Sequence, residues 1–141
     1  MQNDGKNDNL RSTGHLSAGF IEEMNHKLLA AKEKLDNLTI FVDYNNIQID
    51  GFSSEVMPLE PIVDKLRSFN LEVMEIDGNN LEQIANAYEM AKLMKEKPSA
   101  VVMRTIPGKG VSFMENNYEW HGKVPTKEEG ERALKELIEN Q

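Results

Sequence analysis

The sequence predicts an α/β fold, a three-layer sandwich with a mainly parallel sheet. Three observations lead there. Short apolar runs, β-branched in part, read as strands at 38–42, 71–76 and 100–103. Segments with helical apolar spacing separate them. Polar, turn-forming residues follow the end of each run. Strands alternating with crossover helices imply parallel pairing with right-handed connections.

The elements follow in chain order. Residues 1–12 are rich in Asn, Asp, Lys and Gly without apolar periodicity, and are expected to be disordered. Residues 13–141 are expected to form one domain or part of a larger one. Phe20, Ile21, Met24, Leu28, Ala31 and Leu35 recur at helical spacing and predict a helix over 20–35. The run 38–42 is a buried strand. Leu59, Ile62, Val63, Leu66 and Phe69 mark a second helix, with Pro58 and Pro61 near its start, where proline is tolerated. Residues 71–76 alternate apolar with acidic side chains, the pattern of a strand near a sheet edge. A third helix spans 80–96, with Asn80 as N-cap, Gln83 three residues on, and Pro98 as its stop. The third strand is 100–103, and a Gly-rich loop covers 105–125. Thr126 opens the last helix. Glu129 completes a capping box there, and Ala133, Leu134, Leu137 and Ile138 share one face.

Composition excludes several classes. Lys plus Arg is 16 against 24 for Asp plus Glu, a net charge of −8, so general attraction to nucleic acid or anionic lipid is not expected. The absence of cysteine excludes disulfides, thiolate chemistry and zinc–thiolate sites. No apolar stretch is long enough to span a membrane, and the start has no signal-peptide h-region. A cytoplasmic protein is expected.

Open α/β sheets bind ligands at the carboxyl ends of their strands. Three loops leave that edge: 43–51, 77–80 and 105–125. In the first, VDYNNIQIDG, the Asn45 amide oxygen and the Ile47 carbonyl are hard, neutral ligands suited to Mg²⁺ or Ca²⁺. The same residues also stabilise turns without binding anything. In the third, Gly108 and Gly110 let the backbone approach an anion, with Lys109 adding charge, although a lone GxG is usually only a bend. His121 stands in a Gly-flanked stretch beside Trp120, the one tryptophan. Such a histidine suits a partly shielded site, but a loop histidine is more often exposed or a cap.

The ordered set KLDNLTIFVDYNNIQIDG, EVMPL, EVMEIDGNN, TIPGKGVSFMENN and WHGKVP resembles transketolase, specifically its thiamine-diphosphate-binding domain. The likeness runs from Lys34 to Pro125. It implies the thiamine-diphosphate-binding fold in incomplete form, as a fragment or N-terminal subunit of a split enzyme. The implied activity is ketol transfer, passing a two-carbon unit from a ketose phosphate to an aldose. The implied cofactors are thiamine diphosphate and Mg²⁺ or Ca²⁺, and the partner is a pyrimidine-binding C-terminal subunit or a second copy. By the same resemblance Asn45 and Ile47 are metal and cofactor ligands. His121 is a catalytic and cofactor-lining residue. Phe113, Met114, Tyr118 and Trp120 belong to a loop expected to pack on the partner, or to fold inward over the sheet.

One departure is plain. The family's Gly-Asp-Gly metal motif falls on Gly14-His15-Leu16-Ser17, which has no acid. Alternatively, 12–19 resembles an earlier cofactor-touching loop of the family. Either way Gly14 and Leu16 are assigned to cofactor contact, and metal affinity is expected to be weakened by the missing acidic ligand. Two other readings stand beside this one: a non-catalytic remnant or assembly partner, and a fragment similar to 1-deoxyxylulose-5-phosphate synthase.

Overall fold

The computed structural model describes residues 18–139. The expected disordered segment 1–12, together with Gly14 and Leu16, lies outside them. Helix α1 (Ala18–Lys32) stops short of the expected Leu35. Lys34 adopts the left-handed conformation (φ 54°), and the Lys34 and Leu35 N–H groups donate back to the Ala31 and Ala30 carbonyls. That is a helix stop usually made by glycine, here by lysine, so no glycine signalled it.

Strand β1 (Thr39–Tyr44) runs two residues past the expected end. A tight hairpin follows, β2 (Ile47–Gln48) against β3 (Gly51–Phe52), and then a single helical turn, α2 (Ser53–Val56). Helix α3 (Ile62–Ser68) starts after Pro61. Strand β4 (Glu72–Asp77), helix α4 (Leu81–Leu93) and strand β5 (Ser99–Arg104) complete the alternation. Helix α4 begins as expected, the Asn80 side chain accepting the Gln83 N–H. It ends at Leu93, well before Pro98. A 3₁₀ turn, Tyr118–His121, lies inside the long loop, and helix α5 (Lys127–Glu139) closes the described chain. Its capping box is complete: Thr126 Oγ1 accepts the Glu129 N–H, and the Glu129 carboxylate accepts the Thr126 N–H at 2.7 Å.

The main sheet has the order β1-β5-β4, all parallel. Strand β5 takes the middle because its apolar residues tolerate burial on both faces; Ala100, Val101 and Val102 are all 0% exposed. Strand β4 takes an edge, as its acidic alternation predicts. On one face Ile40, Val42, Ala100, Val102 and Val73 pack with Leu66, Ile62 and Val63 of α3. The expected α/β sandwich with a parallel sheet is therefore the one observed, and all three loops leave the carboxyl ends of the strands.

Helix α5 forms where expected. Its apolar face is not buried among the described residues: Leu134 is 63% and Ile138 72% exposed. Leu137 lies near Gly110, where an added Cβ would come within 3.1 Å of its Cδ2. No helix among the described residues is long and apolar enough to cross a membrane.

Candidate functional site

Beyond β1 the chain must turn sharply, and the asparagines make that turn. The Asn45 amide oxygen accepts the Ile47 N–H at 3.1 Å. Asn46 takes the left-handed conformation (φ 57°), which asparagine tolerates better than most residues. Its carbonyl accepts the Ser53 N–H at 2.9 Å, closing the hairpin onto the strand end. Gln48 Nε2 donates to Ser53 Oγ at 3.4 Å. The turn role and a ligand role are thus compatible, because an amide oxygen has two lone pairs and the turn uses one.

The hairpin walls a cavity of about 690 Å³ whose lining includes Asp43, Asn45, Ile47, Ser53, Leu59 and His121. A second cavity of about 310 Å³ shares Ile47 and His121 and adds Asn117, Trp120 and Lys123. Asn45 and Ile47 therefore meet His121, which lies far along the chain, at one place. The fold achieves this by seating β1 directly beside β5, so that the loops after both strands converge.

His121 is exposed at the end of the 3₁₀ turn. Asn117 caps that turn by accepting the Glu119 N–H at 3.1 Å. Trp120 is half-buried edge-on against Phe113, with ring centroids 5.4 Å apart. The Lys123 ammonium lies 3.8 Å over the Trp120 ring and 2.9 Å from the Glu129 carboxylate. Glu129 is held below the usual carboxylate range, first by the Thr126 N–H and then by Lys123. Phe113 and Trp120 thus fold against each other, while Tyr118 packs edge-on against Phe52 at 5.7 Å.

The Gly108–Gly110 stretch serves as a bend. Gly108 is left-handed (φ 69°), and a Cβ there would lie 2.7 Å from the Met114 carbonyl oxygen. The Gly110 N–H donates to the Glu115 carboxylate at 3.1 Å, so the chain's own anion already answers that amide. Lys109 is exposed and lines neither cavity.

Sequence reasoning missed Asp43. It lies on the strand extension, lines the larger cavity and accepts a hydrogen bond from the Thr105 hydroxyl. Strand alternation, carried two residues further, would have found it. Reasoning from sequence also missed Arg104, whose guanidinium donates to Glu60 beside the cavity wall at 2.6 Å.

The donor set does not by itself fit a divalent cation. Asn45 and Ile47 offer neutral oxygens. No group of three His, Cys, Asp or Glu that could hold a metal occurs among the described residues. Mg²⁺ and Ca²⁺ sites ordinarily include carboxylate or phosphate oxygen. Among the described residues the larger cavity is lined by Asp43 and Asp50 but by no Lys or Arg.

A family model described as the transketolase thiamine diphosphate binding domain matches residues 9–139. The chain belongs to the transketolase family. A 6-deoxy-6-sulfo-D-fructose transketolase subunit of Clostridium sp. (strain MSTE9) is 44% identical over 110 residues, 78% of this chain and 40% of that protein. One of the apulose-4-phosphate transketolase subunits, from Phocaeicola vulgatus, is 40% identical over 106 residues, 75% of this chain and 38% of that protein. Among solved structures, transketolase from Campylobacter jejuni subsp. jejuni superposes with a TM-score of 0.73 at 28% identity, over 82% of this chain and 18% of that one. The chain therefore spans about two fifths of the length of these subunit relatives. The transketolase-like segment carries the converging loops described above.

Proposed function

We propose that the chain is a thiamine-diphosphate-binding portion of a two-chain transketolase, serving ketol transfer between sugar phosphates in the cytoplasm. The observation that carries this reading is the convergence of Asn45, Ile47 and His121 on one cavity at the carboxyl edge of the sheet. The relatives named as transketolase subunits support a partner, a chain that supplies the pyrimidine-binding half.

Each residue has a role in this reading. Asn45, through its free lone pair, and Ile47, through its carbonyl, would hold the diphosphate end of the cofactor and its Mg²⁺. His121, at the border of the two cavities, donates or accepts a hydrogen bond between diphosphate and sugar. Gly14 and Leu16 contact the cofactor from the segment 12–19. Thiamine diphosphate, when bound, supplies the thiazolium carbon that carries the two-carbon unit; the protein supplies position and electrostatics. Asn45 and Ile47 offer only neutral oxygens, so a cation would need anionic oxygen from the cofactor, and binding to the chain alone is weak.

Titration calorimetry tests the proposal, with thiamine diphosphate and Mg²⁺ added to the full chain alone and mixed with a pyrimidine-binding subunit. Weak or undetectable heat alone, and Mg²⁺-dependent binding in the mixture that Asn45→Ala abolishes, is the expected result. No binding in the mixture, or binding indifferent to Asn45→Ala, would overturn it. The absence of a carboxylate cluster among the described residues favours a second reading, an assembly chain without turnover. A mixture that assembles and binds cofactor yet transfers no two-carbon unit would select that one.

A further inference from the structure

At the carboxyl end of the sheet the apolar core gives way to a row of three side chains. Tyr44 of β1 and Arg104 of β5 are register partners, and Glu75 stands two residues before Asp77, the β4 partner of Arg104. Strand alternation puts Tyr44, Arg104 and Glu75 on the same face as Val42, Val102 and Val73, the face that α3 covers. The guanidinium touches three separate segments. Its Nε donates to Glu75 at 2.6 Å and its Nη1 to Glu60 at 2.6 Å. Its carbon lies 4.1 Å from the centroid of the Tyr44 ring.

Two of these segments build the larger cavity. Tyr44 lines it and leads directly into Asn45; Leu59, next to Glu60, lines it from the other side. The Glu60 segment is itself pinned: its carboxylate accepts the Ile62 N–H at 2.9 Å, and Lys65 Nζ donates to the Leu59 and Glu60 carbonyls at 2.9 and 3.2 Å. The wall around Leu59 and the Asn45 turn are thus joined through one side chain rooted on the central strand.

We propose that Arg104 is a positioning residue for the candidate cofactor site, fixing the Asn45 turn and the hairpin it opens against the Met57–Glu60 wall. The role needs a planar fork: two donors directed at different carboxylates, and a flat face left for the Tyr44 ring. A lysine ammonium offers a single point charge and no face, so it cannot make all three contacts at once. Ion pairs this exposed add little to global stability, so the effect is local and is read in local opening. The link to cofactor binding rests on the reading of the cavity proposed above; the mechanical claim does not.

The experiment is residue-resolved amide hydrogen exchange on the full, ligand-free chain as wild type, Arg104→Met and Arg104→Lys. The reporters are the Ile47, Ser53 and Met57 N–H groups, which bond to Asn45, Asn46 and Ser53 within the hairpin and wall. The references are Val101 and Val102 in the middle of β5. Both variants are expected to speed exchange at the reporters by about tenfold relative to the references. Equal acceleration at reporters and references would reduce Arg104 to a general stabiliser and overturn the proposal. So would unchanged reporters, or full protection restored by lysine. Cofactor titration of the wild type in the presence of the partner is scored separately. Its failure would sink the functional reading and leave the exchange result standing.

Discussion

The Asn45 amide oxygen accepts the Ile47 N–H, and Ile47 is only 5% exposed, so that N–H has little access to water as a substitute. Removing the acceptor leaves a poorly hydrated donor unmatched. Asn45→Ala is therefore expected to cost the ligand-free chain about 1–2 kcal/mol in urea unfolding. Asn45→Asp keeps an acceptor in the same place and should recover most of it. Glu60 gives a pH signature. The Arg104 guanidinium, followed by the Ile62 N–H, holds its carboxyl below the ordinary range. A depressed carboxylate contributes fully above its unfolded pKa, and the contribution is lost as pH falls through its folded value. Arg104 is shifted upward and stays charged throughout, so it adds no pH dependence here. Wild type should exceed Glu60→Gln by a small margin in stability at neutral pH, and the gap should close as pH falls through the lowered folded pKa of Glu60. Chemical denaturation at several pH values checks this; a gap that persists in acid would mean that the contact is not ionic. These residue-level roles were only partly legible. Asn45 and His121 stood out because amides and a histidine in a loop are unusual. Arg104 did not, since its partners are 29 and 44 residues away in sequence and meet only once the strand order is set.

Helix starts were legible because a capping box is a local event within four residues. Thr126 and Glu129 bond reciprocally, and Glu129 also receives Lys123, which covers Trp120. The start of α5 is thereby tied to the 3₁₀ turn that carries His121. Thr126→Ala is expected to destabilise the chain by about 1 kcal/mol and to loosen Lys123 and Trp120 with it. Thermal unfolding together with Trp120 fluorescence would check both, and an unchanged indole environment would separate the cap from the site. The hairpin β2–β3 was not legible: two-residue strands are too short to show a period. The end of α1 was hidden for a different reason, because Lys34 occupies a left-handed position without the glycine that usually marks one. Of the strand order, only the edge place of the second run was legible, from its acidic alternation. The third run reads as continuously apolar, and it takes the centre of the sheet.

In the proposed reading a chain with a net charge of −8 holds a diphosphate in a cavity lined, among the described residues, by Asp43 and Asp50 and by no Lys or Arg. Lys123, in the neighbouring cavity, is held at 2.9 Å by Glu129 over the Trp120 ring. Coulomb's law therefore opposes the anion unless a divalent cation or a partner chain brings positive charge. The single tryptophan offers a direct measurement, since Trp120 lines the smaller cavity, which shares Ile47 and His121 with the larger. Incorporating 5-fluorotryptophan into this chain alone gives one ¹⁹F resonance, whatever tryptophans an unlabelled partner contains. Thiamine diphosphate and Mg²⁺ should leave that resonance in place when added to the isolated chain. The same additions should shift it once a pyrimidine-binding subunit is present, because the partner then closes the site around the cofactor. A shift at low cofactor concentration without the partner would show that the chain overcomes its own charge, and would refute the dependence on a second subunit. An unmoved resonance in a complex that calorimetry shows to be loaded would mean that the cofactor does not reach the His121 border, and would remove that residue from the site.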